Sequence, residues 1–385
     1  MFNKFITKST LSNRVDFDTD IGLTESHFIL RCLPNISLSE SLEQIHNEYN
    51  ELINLGEPKR LFPFYTRIFL SDVENQSEIV KQSQIFKRLS LGAIRLVGNA
   101  PLDSGKVSII SYHIQNMGLE IIRTQNVNSN SINCKGKNYK LSVFANLGNS
   151  NAKDVKSQSD LLFSEFQPKN SPKKLNKELV RTWVSVRDID NNYLPFVESR
   201  RNFFVNNKFA DFFPASTAVE GRSENPSQLV SIDAITINGM ADAQITKMEA
   251  LSNMPNTMKY GVTFERGLRL LFGDRTKFLI SGTASIDDEG NVIHLGNIAK
   301  QTESAINNIN ALISNYNIDF DNFAYLLVYI RDAKDYSEVK STLANLLGNS
   351  PFISYIQSSI CRTQWLIEID GCAYSKEKNN FPDFI

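Results

Sequence analysis

The sequence predicts an α+β protein of two similar halves, each of strands mixed with two helices, the helices lying on one sheet face. Three observations carry this. Short apolar runs rich in β-branched and aromatic residues alternate with segments whose apolar residues recur at helical spacing. Both halves repeat one order of strand, polar turn, helix, strand, which suggests a duplication. The 385 residues suit two or three domains of ~150 residues, and 41% hydrophobic with 22% charged residues is ordinary globular composition.

In the first half, His27-Phe-Ile-Leu-Arg31 is strand-like. A helix follows, capped by Ser39 or Ser41, with Leu42, Ile45, Tyr49, Leu52 and Ile53 as its apolar stripe. The strand Phe64–Leu70 ends at Ser71, a helix cap, and a helix over 77–89 leads to the strand Ala93–Val97. Further strands are predicted over 106–112, 119–123 and 139–145. From Gly148 to Lys174 the chain is polar and cannot bury enough apolar area to order itself, although Leu161–Phe166 could pair with a sheet edge. The expected division is therefore a domain over 1–150, a linker over 151–176 and a domain over 177–385. In the second half, strands are predicted over 181–186, 229–237, 277–280, 325–330, 354–360 and 365–370, with helices over 193–206, 298–313 and 335–347.

Composition narrows the function. A net charge of −1 without a Lys/Arg cluster gives no nucleic-acid signal. Cys32, Cys134, Cys361 and Cys372 lie far apart, and His27, His46, His113 and His294 do not cluster, so neither a metal site nor a disulfide framework is expected. No apolar run approaches the ~20 residues needed to span a bilayer. The amino terminus has too short an apolar run for a signal peptide, so a cytoplasmic protein is expected.

Candidate chemistry gathers at strand ends of the second half. Alternation along Trp365-Leu-Ile-Glu-Ile-Asp370 places Leu366, Glu368 and Asp370 on one face. Glu368 is then either a solvated acid on a surface strand or an acid in a partly apolar cleft, where burial would let it donate a proton near neutral pH. Arg331, Arg362 and Arg266 read either as surface arginines paired to nearby acids or as guanidinium forks for a substrate carboxylate. Thr283 and Ser285 sit where an apolar strand, Lys277–Ile280, opens towards a helix; such a corner can hold an anion, although both residue types are more often turn and cap residues. There is no P-loop or Rossmann glycine pattern.

At these residues the chain resembles the Rid/YjgF superfamily. The segments concerned are Ser281-Gly-Thr-Ala-Ser-Ile286, Gln301–Leu312, Val328-Tyr-Ile-Arg331 and Cys361-Arg362 with Leu366-Ile-Glu-Ile-Asp370-Gly. Arg67–Gln76, Pro101-Leu-Asp-Ser-Gly-Lys106 and Phe213-Pro-Ala-Ser-Thr-Ala-Val219 resemble its two-domain, chorismatase-like branch. The resemblance implies two Rid-like (chorismate-mutase-like) domains, the first a degenerate copy, and a cofactor-free site for a small anionic metabolite near the last strands. Glu368 would protonate the enolpyruvyl methylene, Arg331, Arg266 and Arg362 would anchor carboxylates, Thr283 and Ser285 would line the pocket, and pyruvate would leave. Met248–Asn256 replaces the branch's Tyr-rich segment, Thr263-Phe-Glu-Arg-Gly267 departs from its motif, and Ala218 stands where glycine is usual, which alters the site wall. Glu220 and Arg222 beside it are substrate contacts or a local ion pair. The small members of the superfamily imply two further readings: an enamine/imine deaminase, against which Pro351-Phe-Ile-Ser354 lacks the expected arginine, and a non-catalytic metabolite-binding or interaction scaffold. They also imply a homotrimer, unless one chain closes its own site.

Overall fold

The computed structural model describes residues 2–115, 118–125, 129–166, 178–207, 212–348 and 352–384. Its sheets have six strands each, and one chain order builds all three: three strands, a helix, a strand, helix again, two strands. The first unit comprises β1 (Phe2–Ile6), β2 (Asn13–Asp18), β3 (Thr24–Leu30), α1 (Leu38–Asn54), β4 (Leu61–Leu70), α2 (Val73–Gln82), α3 (Gln84–Leu89), β5 (Ala93–Gly98) and β6 (Val107–Gln115). The second comprises β7 (Glu120–Gln125), β8 (Asn130–Lys135), β9 (Lys140–Leu147), α4 (Val155–Phe166), β10 (Leu179–Val186), α5 (Ile189–Asn206), β11 (Ala215–Glu220) and β12 (Val230–Asn238). The third comprises β13 (Ile245–Lys247), β14 (Gly267–Phe272), β15 (Arg275–Thr283), α6 (Ile298–Ile313), β16 (Phe323–Ile330), α7 (Tyr336–Leu347), β17 (Ile353–Gln357) and β18 (Ile367–Ser375).

The sheet orders match strand for strand: β1-β2-β3-β6-β4-β5, β7-β8-β9-β12-β10-β11 and β13-β14-β15-β18-β16-β17. Only the last pair in each order is parallel, joined through a helix as a parallel crossover requires. The α+β class with helices on one sheet face is therefore as expected, and the unit occurs three times. Strands β7 to β9, expected in a first domain ending at 150, pair into the second sheet, with Leu141 opposite Ile237. Of the expected linker, 155–166 is helix α4 rather than a sheet-edge strand, and 167–177 lie outside the described residues.

The inner faces of the three sheets share one core, to which Phe17, Tyr65 and Tyr112, then Tyr139 and Trp183, then Phe272, Tyr325, Tyr329 and Tyr374 contribute from successive units. Each outer face is covered by its own helices, so most of both faces of each sheet leaves water, the exposed edge strand β7 excepted. Local signals set the helices. Ser37 and Glu40 form a reciprocal capping box at α1, two residues before the expected cap, and Leu42, Ile45, Tyr49 and Leu52 are its buried stripe. Asp72 rather than Ser71 caps α2. The single helix expected over 77–89 breaks at Ser83, whose Oγ accepts from the Phe86 N–H and starts α3. Helix α6 begins and ends as expected, with the Asn297 side chain accepting from the Lys300 N–H.

Candidate functional site

A cavity of about 230 Å³ opens at the seam between the second and third units. Helix α5 and strand β11 of the second unit form one wall. Strand β15, the connection before β14 and the connection between β17 and β18 form the other. The seam is stitched by Ser281, whose Oγ accepts from the Ser216 N–H at 2.9 Å and donates to the Glu265 carbonyl. The opening sides are small: Ser216 and Ala218 on β11 face Gly282 and Ala284 across it.

Glu368, the second residue of β18, points into this cavity and is 5% exposed. Burial pushes its carboxyl up to about 8, and neighbouring Asp370 adds to the rise, while Arg181 and Arg266 oppose it. The group is therefore a neutral acid at pH 7 rather than a solvated carboxylate. It lies so close to Gly282 that a Cβ there would stand 1.8 Å from Glu368 Oε1, which explains the glycine in Ser281-Gly-Thr.

Three arginines share the cavity lining with this acid. Arg266 is 6% exposed; its Nη2 donates to the Pro255 carbonyl at 3.2 Å and its guanidinium lies over the Phe264 ring. The replaced segment 248–256 thus supports the arginine through the Pro255 carbonyl, and its Met248 and Met254 are buried. Arg362 lies over the Trp365 ring at 4.7 Å and donates to the Gly290 carbonyl, while Trp365 Nε1 donates to the Ser285 carbonyl at 2.8 Å. Arg200 of α5, which sequence reasoning missed, is 3% exposed and brings a third guanidinium to the lining. Tyr193 and Cys361 close one side; burial pushes the Cys361 thiol up to about 12, with Glu368 adding to the rise, so it stays protonated.

Three expected lining residues are placed otherwise. Arg331 is outside the cavity: Nε donates to the Trp365 carbonyl, Nη2 to those of Ile360 and Arg362, and the fork pairs with Asp190. A guanidinium so engaged shapes the loop carrying Cys361, Arg362 and Trp365 instead of holding a ligand. Thr283 and Ser285 turn away, to the Ser281 and Ile293 carbonyls. A register shift between Ile280 and Thr283 interrupts the strand pairing there, and Gly282, Ala284 and Ile286 form the wall. Glu220 and Arg222 line a separate polar depression with Arg331. Glu368, Arg266 and Arg362 are brought together as expected.

Residues 274–375 match the family model described as endoribonuclease L-PSP. A RutC family protein of Pyrococcus abyssi (strain GE5 / Orsay) is 26% identical over 98 residues, 25% of this chain and 77% of that protein. A crystal structure of a chorismatase superposes with a TM-score of 0.62 at 16% identity, covering 83% of this chain and 95% of that one. Through its third unit the chain is similar to the Rid/YjgF superfamily, the resemblance its sequence carries. Across its three units, the chain shares the fold of that chorismatase.

Proposed function

We propose that the cavity binds a small cyclic acid carrying an enolpyruvyl ether, chorismate or a close relative, and cleaves the ether with release of pyruvate. The observation that carries this reading is Glu368, a buried acid still protonated at neutral pH beside Arg266, Arg362 and Arg200. An enol ether is hydrolysed through protonation on carbon, which needs a neutral acid in a site with little water. Glu368 gives its proton to the methylene carbon, and positive charge develops on the ether-bearing carbon. Water adds there, the hemiketal collapses, the ring alcohol departs with a proton and pyruvate forms; the water's other proton restores Glu368. Two or more guanidiniums match a substrate with more than one carboxylate and hold its plane fixed. The apolar parts of the lining, Val262, Phe264 and Ile286, suit a ring.

Incubating the purified chain with chorismate and assaying pyruvate tests this. Pyruvate release that Glu368→Gln abolishes is expected. Turnover of 2-iminopropionate without pyruvate release from chorismate would replace the reading with a Rid-type deaminase, and turnover of neither would leave a binding protein.

A further inference from the structure

The shared core contains a charged group that the reaction does not use. Arg67 of β4 is 4% exposed, and among the described residues no carboxylate lies within ion-pair distance of it. Arg181 of β10 pairs with Asp370 at 3.2 Å, and Arg95 of β5 with Asp233 at 3.0 Å. Three buried guanidiniums thus meet two carboxylates, an excess of one positive charge. Tyr65 and Tyr329, which border the group, do not supply the missing charge, because burial first and then Asp233 and Asp370 respectively hold their hydroxyls well above the ordinary tyrosine range. A buried cation without a counter-charge is among the costliest features a core can carry.

The donors around this excess charge also lack acceptors. Arg67 Nε, Arg181 Nη1 and Trp183 Nε1 are buried and have no hydrogen-bond partner. They are neighbours, since both guanidinium carbons lie 4.6 Å from the Trp183 ring. Their surroundings are aromatic, with Tyr65, Tyr325 and Tyr329 all buried. Asp370 Oδ1 is likewise without a partner and suits a bridging water.

We propose that Arg67, Arg181 and Trp183 form an internal binding site for one small monovalent anion of halide type. The anion accepts from the three N–H groups and neutralises the excess charge where strands of the first and second units meet the third. A divalent anion would overcompensate one charge, and water alone would leave it in place.

Bromide is the probe. Crystals of the whole chain grown with bromide should show one anomalous peak within ~3.5 Å of Trp183 Nε1 and the two guanidiniums. In solution the melting temperature should rise saturably in sodium bromide relative to sodium gluconate of equal ionic strength, as a ligand specific to the folded state requires. Trp183→Phe should weaken the apparent bromide affinity about tenfold. Arg67→Met should abolish the bromide dependence without requiring bromide for folding. Water density without anomalous signal at that place, or equal melting temperatures of the unmodified chain in the two salts, would overturn the site whatever the variants do.

Discussion

The seam between the second and third units and the seam between the third and first are built from equivalent strands, yet only one carries the buried acid. Register identifies the equivalent positions. Val107, Val230 and Ile367 each pair with the last residue of the preceding central strand, so Glu368 corresponds to Ser231 and Ser108. By the same pairing Ala218 corresponds to Tyr355, Ser216 to Ile353 and Ala284 to Arg31. At the third–first seam these larger residues line a different depression, of about 330 Å³, with Asp103 and Tyr336 and without a glutamate at the position of Glu368. Arg31 reaches across the gap, donating to Asp103 at 2.7 Å, to the Leu11 carbonyl and to the Ile353 carbonyl. At the first–second seam Arg95 donates to Ser231 at 2.6 Å, engaging the position that Glu368 holds elsewhere. Small residues on two facing strands together with one acid therefore make the site, and the repeated scaffold alone does not.

The largest change should come from the acid itself. Glu368→Gln should lower turnover by ~10³-fold, within the range typical of a lost general acid, as read by pyruvate release. The same variant has a stability signature that the serines at the other seams lack. Glu368 keeps its proton to about 8, whereas an ordinary glutamate ionises near 4.5. The folded state therefore binds the extra proton; its contribution is complete below the ordinary range and is lost as pH rises to about 8. Glu368→Gln should thus be more stable than the parent at pH 8, on the order of a few kcal/mol, and no more stable at pH 4. Denaturant unfolding at the two pH values checks it.

Copying the third–first seam onto the second–third one should come next. Ala218→Tyr places in the cavity wall the side chain found at the equivalent position, and kcat/KM should fall on the order of 100-fold while the folded far-ultraviolet dichroism persists. A variant that binds and turns over normally would break the comparison. Gly282→Ala pushes a methyl group against the Glu368 carboxyl and should lower kcat about tenfold with little change in KM, because the acid is displaced and the carboxylate anchors are not. Arg31→Ala should leave turnover unchanged. It should cost about 3 kcal/mol of stability, since it strands Asp103, whose side chain is 9% exposed. A turnover defect in Arg31→Ala would show that the third–first seam communicates with the second–third one.

Much of the fold was legible, and the reasons are local. The apolar stripes of α1 and α6 and the apolar runs of β4, β10 and β16 are properties of short windows, so their positions could be read directly. Glu368 was legible because alternation set it beside Leu366 and Asp370 in an otherwise apolar strand. The third repeat was not, because the equivalent positions hold glutamate, serine and serine, or alanine, tyrosine and leucine, and only strand pairing aligns them. Arg200 was missed because it comes from a helix of the second unit, more than 150 residues before Glu368, and nothing local marks it. Arg331 was misplaced because its partners are carbonyls and Asp190 from distant segments, which a sequence does not display. Thr283 and Ser285 were misassigned because alternation separates two faces without saying which one meets the cavity.

The central claim is that the second–third seam holds a carboxylic acid protonated at neutral pH. It is tested most directly by following the side-chain carboxyl carbon of Glu368 by NMR from pH 4 to pH 10, assigned by its loss in Glu368→Gln. A single transition with a midpoint near 8 is predicted. A midpoint in the ordinary glutamate range of ~4.3 would contradict the account, because the group would be a carboxylate at neutral pH with no proton to give.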